Sequence, residues 1–120
     1  MASFSSRASS WAYGFWISPV VDASLLHFAS GDKRWGLLKW DETNTSDESK
    51  AYVRVDILDS TGSVLVSNLS WVSGGIDLSQ YSAIHTDTTT YVDIKIKFKL
   101  YSLTEKPVIK NISLAPKQEW

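Results

Sequence analysis

The chain has 120 residues, 43% of them hydrophobic and 21% charged, with a net charge of −1 and no cysteine. This is the make-up of a single soluble domain with one closed core. It excludes a disulfide framework, a thiolate zinc site and a cysteine nucleophile. The charge balance argues against a nucleic-acid partner, and no apolar run approaches the roughly 20 residues of a membrane span.

Residues 1–12 are small, polar and serine-rich, and read as a flexible N-terminal segment ahead of a domain over 13–120. No secretory signal core follows Arg7. "YGFWISPVVDAS" (Tyr13–Ser24) reads as extended, with Pro19 at a bulge or edge and Trp16 facing the core. After the turn "GDK" comes the strand "RWGLLKWDE", in which Trp40 shares parity with Leu38 and is assigned to the core. "KAYVRVDILDS" alternates cleanly, and Thr61–Gly62 turns it into "SVLVSN", a hairpin over Lys50–Asn68. The long segment Ser70–Thr89 holds a short helical turn at "DLSQY".

In "YVDIKIKFKLYS" (Tyr91–Ser102), Val92, Ile94, Ile96, Phe98 and Leu100 fall on one parity and form the core face. Lys95, Lys97 and Lys99 fall on the other with Asp93, and read as a solvated face, not a polyanion site. Pro107 then separates a closing strand, "VIKNISLA". Short alternating strands separated by turns predict an all-β fold, an antiparallel β-sandwich.

The succession "FWISPVVDAS", "WGLLKWDE", "YVRVDILDSTGSVLVSN", "GGIDLSQYS" and "YVDIKIKFKLYSLTEKPVIKNISL" resembles the galactose-binding-like jelly rolls of bacterial surface enzymes and phage tail proteins. The resemblance implies a non-catalytic module, often sugar-binding, on an extracellular or virion surface. It also implies that a structural calcium ion can pin loops, for which Asp22, Asp32 and Asp87 are unranked candidates. The alternative is a structural or oligomerising unit of a phage fibre or cell-surface protein with no small ligand.

Six tryptophans and five tyrosines exceed what one small core absorbs. A tryptophan face packs on the C–H face of a pyranose while hydroxyls reach polar neighbours. Trp35, Trp71, Trp11 and Tyr81 lie in or beside irregular segments, where a β-scaffold carries its sites, and are the candidate carbohydrate-binding residues. The carboxylate pairs Asp41–Glu42 and Asp47–Glu48 lack any pattern that fixes catalytic geometry, and His27 and His85 lack zinc-ligand spacing. No GxSxG elbow or phosphate loop is present, so an enzyme is not expected. All three asparagines (Asn44, Asn68 and Asn111) open N-x-S/T sequons, a hint of an exported chain.

Overall fold

A computed structural model describes residues 11–23 and 31–117. Its strands are β1 (Ala12–Ile17), β2 (Trp35–Thr43), β3 (Ala51–Asp59), β4 (Val64–Leu69), β5 (Ile76–Asp77), β6 (Ile94–Ser102) and β7 (Val108–Pro116). They form two antiparallel sheets, one of four strands in the order β1-β6-β3-β4 and one of three in the order β5-β2-β7. The expected all-β antiparallel sandwich is the fold. His27 falls outside the described residues, as do most of the N-terminal segment and Ser24.

The alternation in the two longest strands builds the core. Val53, Val55 and Ile57 from β3 and Ile94, Ile96 and Phe98 from β6 are buried, and Leu38 and Trp40 of β2 meet them from the other sheet. Trp40 stands edge-on to Phe98 at 5.5 Å. Leu100 and Val92 are only partly buried against this cluster, and Val92 precedes the strand. The β3–β4 hairpin closes as expected: Asp59 Oδ1 accepts from the backbone N–H groups of Thr61 and Ser63, both at 2.9 Å. A 3-10 turn, Leu78–Gln80, takes the place of "DLSQY", capped by the Asp77 carboxylate.

Four expectations are corrected. Trp35 is not a loop-borne ring: it opens β2 and is fully buried, 0% exposed. Counting back by twos from Trp40 and Leu38 turns residue 35 outward, but a register shift between Trp35 and Leu38 in the pairing with β7 reverses its facing. Gly36 sits in this shift, with the Pro116 carbonyl oxygen 2.7 Å from where a Cβ would stand, so the β7 backbone presses against a position that only glycine fits.

Trp16 is not core but 50% exposed: it sits on β1, the edge strand of the four-stranded sheet, at the rim of a groove it shares with Val108 and Ile112 of β7. Lys99 is not solvated either. Its Nζ donates to Asp56 Oδ1 at 2.9 Å and to the Asn68 side-chain oxygen, and both members of the Lys99–Asp56 pair are almost fully buried. Finally, Asp93 does not belong to the lysine row. It lies ahead of β6 and accepts from the Ala23 N–H at 2.9 Å, anchoring the segment that follows β1.

The three asparagines acquire a conformational explanation. Asn44, Asn68 and Asn111 all have left-handed backbones, with φ of 65°, 60° and 56°. Asparagine is the side-chain-bearing residue that tolerates this region best, because its short amide bonds locally. Asn68 and Asn111 lie at the register shifts of β4 and β7, and Asn44 directly follows β2. Their side chains are engaged with Lys106 O, Lys99 Nζ and the Asp41 carboxylate. Backbone demand accounts for these residues without glycosylation.

Candidate functional site

The four candidate rings separate. Trp71 follows β4 in the loop that crosses to β5, and it is 48% exposed. Its indole Nε1–H donates to the Trp40 carbonyl at 2.9 Å, which ties the loop to β2 and fixes the ring. The turn that returns the chain is closed by Gly75 N–H donating to Val72 O at 3.0 Å. Gly74 and Gly75 have φ of 88° and 97°, and a Cβ on Gly75 would lie 2.7 Å from Lys39 Cγ. Glycine is required there for both the backbone and the close approach to β2.

Trp71 walls a cleft of about 320 Å³ that also has Glu42, Asn44, Ser46, Glu48 and Arg54 around it. Arg54 donates to Glu48 through both terminal nitrogens, at 2.9 and 3.3 Å. That guanidinium holds the Glu48 carboxyl below its usual range. Glu42 accepts from Trp40 Nε1–H at 2.7 Å. The cleft is therefore an aromatic wall beside fixed, charged hydrogen-bonding groups.

Tyr81 is partly buried against the core just after the 3-10 turn, and lines a shallow hollow with Val72 and Gln80. Trp71 and Tyr81 thus lie on neighbouring surfaces around the loop 70–75, with Ser70 common to both hollows.

Trp11 belongs to a second aromatic surface, on the outer face of the four-stranded sheet. It meets Tyr52 edge-on at 5.2 Å, Tyr52 stacks on Tyr101 at 4.4 Å, and Tyr101 packs against Tyr13 at 4.9 Å. Phe15 extends the row, 6.0 Å from Tyr13. Arg54 lies over Tyr52 at 4.8 Å and Lys97 over Phe15 at 4.6 Å. Much of this row is engaged with itself and with its own cations, which stitches β1 to β6 and β3 by cross-strand contact. Arg54 joins the two surfaces, since it covers Tyr52 and also lines the Trp71 cleft. Tyr13, Phe15, Tyr52 and Tyr101 were overlooked from sequence. For Tyr52 and Tyr101 the signal was the outward parity of β3 and β6, on which aromatics stand beside cations; Tyr13 and Phe15 share one parity of β1.

The calcium candidates do not converge. Asp32 is paired with Arg34 at 2.9 Å, and that hydrogen bond lowers its pKa. Asp87 accepts from the Thr89 and Thr90 N–H groups, both at 2.8 Å, and these bonds lower its pKa. Among the described residues no three acidic or histidine side chains, Asp22 included, stand close enough to share an ion.

His85 has a structural task. Its Nε2 accepts the Trp35 backbone N–H at 3.0 Å, so the ring proton sits on the buried Nδ1. Burial, then the nearby Arg34 charge, lowers the His85 pKa, against weaker opposite pulls from Asp32 and Asp87. A base whose folded pKa lies below its unfolded value binds more protons when unfolded. Stability is then full above the unfolded pKa, about 6.5, and falls as pH drops through that value toward the folded one. Urea midpoints should decline from pH 7.5 to 5, and His85→Gln should flatten that decline. An equal decline in the variant would clear His85 of the effect.

No protein-family model, no curated protein and no solved structure matches the chain.

Proposed function

We propose that this domain is a non-catalytic carbohydrate-binding module, akin to the galactose-binding-like jelly rolls, that takes a glycan at the Trp71 cleft on a cell or virion surface. The observation that carries the reading is the Trp71 ring itself. It is half-exposed beside a polar cleft, and its only N–H is already spent on the Trp40 carbonyl. What the ring still offers a ligand is a rigid apolar face, the surface on which a pyranose packs.

The cleft volume, about 320 Å³, lies at the small end of ligand sites and suits one or two sugar rings. Asn44, Ser46 and the Glu48–Arg54 pair supply donors and acceptors for hydroxyls. Glu48, held ionised by Arg54, is a poor general acid, which supports binding over glycoside cleavage. The ligand class is a neutral or weakly acidic sugar. One stacked ring supplies only a few kcal/mol before the cost of association, so affinity falls in the micromolar to millimolar range.

Trp71→Ala should abolish the response to a panel of polysaccharides in calorimetric or fluorescence titration. Because the ring is half-exposed, the substitution should cost only about 1–2 kcal/mol of stability. Binding should change little with added salt, since stacking and neutral hydrogen bonds are not screened as charge contacts are. Wild-type silence toward every glycan in the panel would overturn the reading, as would undiminished binding by Trp71→Ala. The rival role, a structural or oligomerising unit, is favoured by a different observation at β1, and the two roles are compatible.

A further inference from the structure

We infer that β1 is a self-association strand, through which two copies of this chain pair edge to edge and join their four-stranded sheets into one. Three observations converge on it: an unguarded backbone edge, an uncovered apolar surface beside it, and a sequence whose facings match its own when antiparallel.

An open edge strand is a template for another strand, and folded proteins normally guard such edges with bulges, charges, proline or shortness. The other edges here are guarded. β4 carries two register shifts and the left-handed Asn68. β5 is two residues long. β7 carries a register shift beside Asn111, with Lys110 in the strand. β1, "AYGFWI", has no charge and no proline, and it runs in unbroken register with β6 from Ala12↔Ser102 to Ile17↔Lys97. Among the described residues no strand pairs its other side.

The hydrogen-bond phase is known as well. Ser18 N–H donates to Ile96 O at 2.9 Å, so Ser18 and, by alternation, Trp16 and Gly14 turn their backbone groups toward β6. Tyr13, Phe15 and Ile17 then present theirs to the open side.

The side chains agree with the backbone. Tyr13, Phe15, Trp16 and Ile17 are between 39% and 57% exposed, although all four are large and apolar. On the inner face an apolar groove of about 370 Å³ runs between the sheets, lined by Trp16, Phe98, Leu100, Val108 and Ile112 among others. Three half-exposed aromatics leave on the order of 300 Å² uncovered, and the aliphatics bring this to roughly 500 Å². A standard interface buries about 800 Å² per partner, so this patch, even with the paired backbones, makes an interface at the small end of the range. An interface of this size fits a dimer of micromolar strength.

A second copy is the occupant because β1 complements itself. Residues directly opposite in an antiparallel pair share a face, so the two-fold axis must lie midway between a residue of β1 and its own copy. Centred on Phe15, the pairing sets Tyr13 against Ile17 on the outer face and Trp16 against Gly14 on the inner one. Among the described residues nothing lies within 4 Å of a Cβ built on Gly14, whose partner on β6 is Leu100 of the groove. The partner copy's indole would fill that space. Centred on Gly14, the same strands would leave glycine against glycine and the space unfilled.

Sedimentation velocity from about 1 to about 200 μM should show a concentration-dependent monomer–dimer equilibrium. Phe15→Glu should weaken association at least about tenfold while preserving the far-ultraviolet spectrum. In one copy the new carboxylate meets Lys97, whereas in the pair two carboxylates face each other across the axis. Phe15→Cys supplies a cysteine to a chain that has none, and opposed Cα atoms about 5.5 Å apart allow a disulfide. It should give a cross-linked dimer on mild oxidation, and Val64→Cys on β4 should not. A wild-type monomer at every concentration would overturn the proposal, and would follow if another segment of the same chain covered β1. So would full association in Phe15→Glu, or equal cross-linking at Val64. None of these readouts depends on glycan binding.

Discussion

Replacing Lys99 with alanine should lower the unfolding free energy by about 3–5 kcal/mol, the cost of stranding a buried charge. Asp56 is buried beside it, and the lysine Nζ lies 2.9 Å from Asp56 Oδ1. Asp56 Oδ1 also accepts the Asn68 N–H at 2.9 Å, so the carboxylate cannot rotate into water without breaking the β4 bulge. Against a total stability of about 5–15 kcal/mol, such a loss is a large fraction. Lys95→Ala and Lys97→Ala, on the same parity but more exposed, should each stay within about 0.5 kcal/mol. Combining Lys99→Met with Asp56→Asn should recover at least half of the loss, because no charge is stranded and an amide oxygen still meets Asn68. Urea midpoints decide the matter. A Lys99→Ala protein within about 1 kcal/mol of the parent would mean the pair is solvated.

Trp35→Ala should be as damaging, again about 3–5 kcal/mol, for a different reason. The ring is fully buried, and its Nε1–H donates to the Val92 carbonyl at 2.7 Å, holding the approach to β6 against the start of β2. Truncation leaves a cavity and an acceptor without its donor. Trp35→Phe should fill much of the volume and still lose the hydrogen bond, costing less than alanine. Thermal and urea unfolding of the two variants separate the contributions. Near-parental stability of Trp35→Ala would place the ring at the surface.

Local alternation carried the sequence reading a long way. The β3–β4 hairpin, the inward parity of β6 and the burial of Trp40 all follow from period-two patterns that a sheet imposes on each strand separately. What failed was information held between strands. Trp35 faces inward because of a shift in its pairing with β7, and Trp16, although on the inner face, stays half-exposed because β1 is the edge strand of its sheet. Lys99 looked solvated because its partner is diagonal to it: Arg54 is directly opposite, and Asp56 lies two residues farther along β3. Of the candidate rings, Trp71 stands beside a polar cleft, Tyr81 is near it, Trp11 lies on the outer face and Trp35 is core. The outer aromatic row escaped notice because Tyr13, Tyr52 and Tyr101 come from distant parts of the chain, and only the sheet order gathers them.

The pairing of β1 with β6 also governs when this chain can fold. Ala12 waits for Ser102 and Ile17 for Lys97, so the two strands meet only after nearly the whole domain has been synthesised. At a ribosomal pace of about 5–20 residues per second, that delay is on the order of 4–18 seconds. During it the uncharged "AYGFWI" segment has no β6 to lie against, while the β3–β4 hairpin can close on itself at once. Long-range pairing of this kind is slow and open to aggregation. Refolding yield should therefore fall steeply with chain concentration, and a charge at Phe15 should relieve that fall whether or not the folded protein pairs.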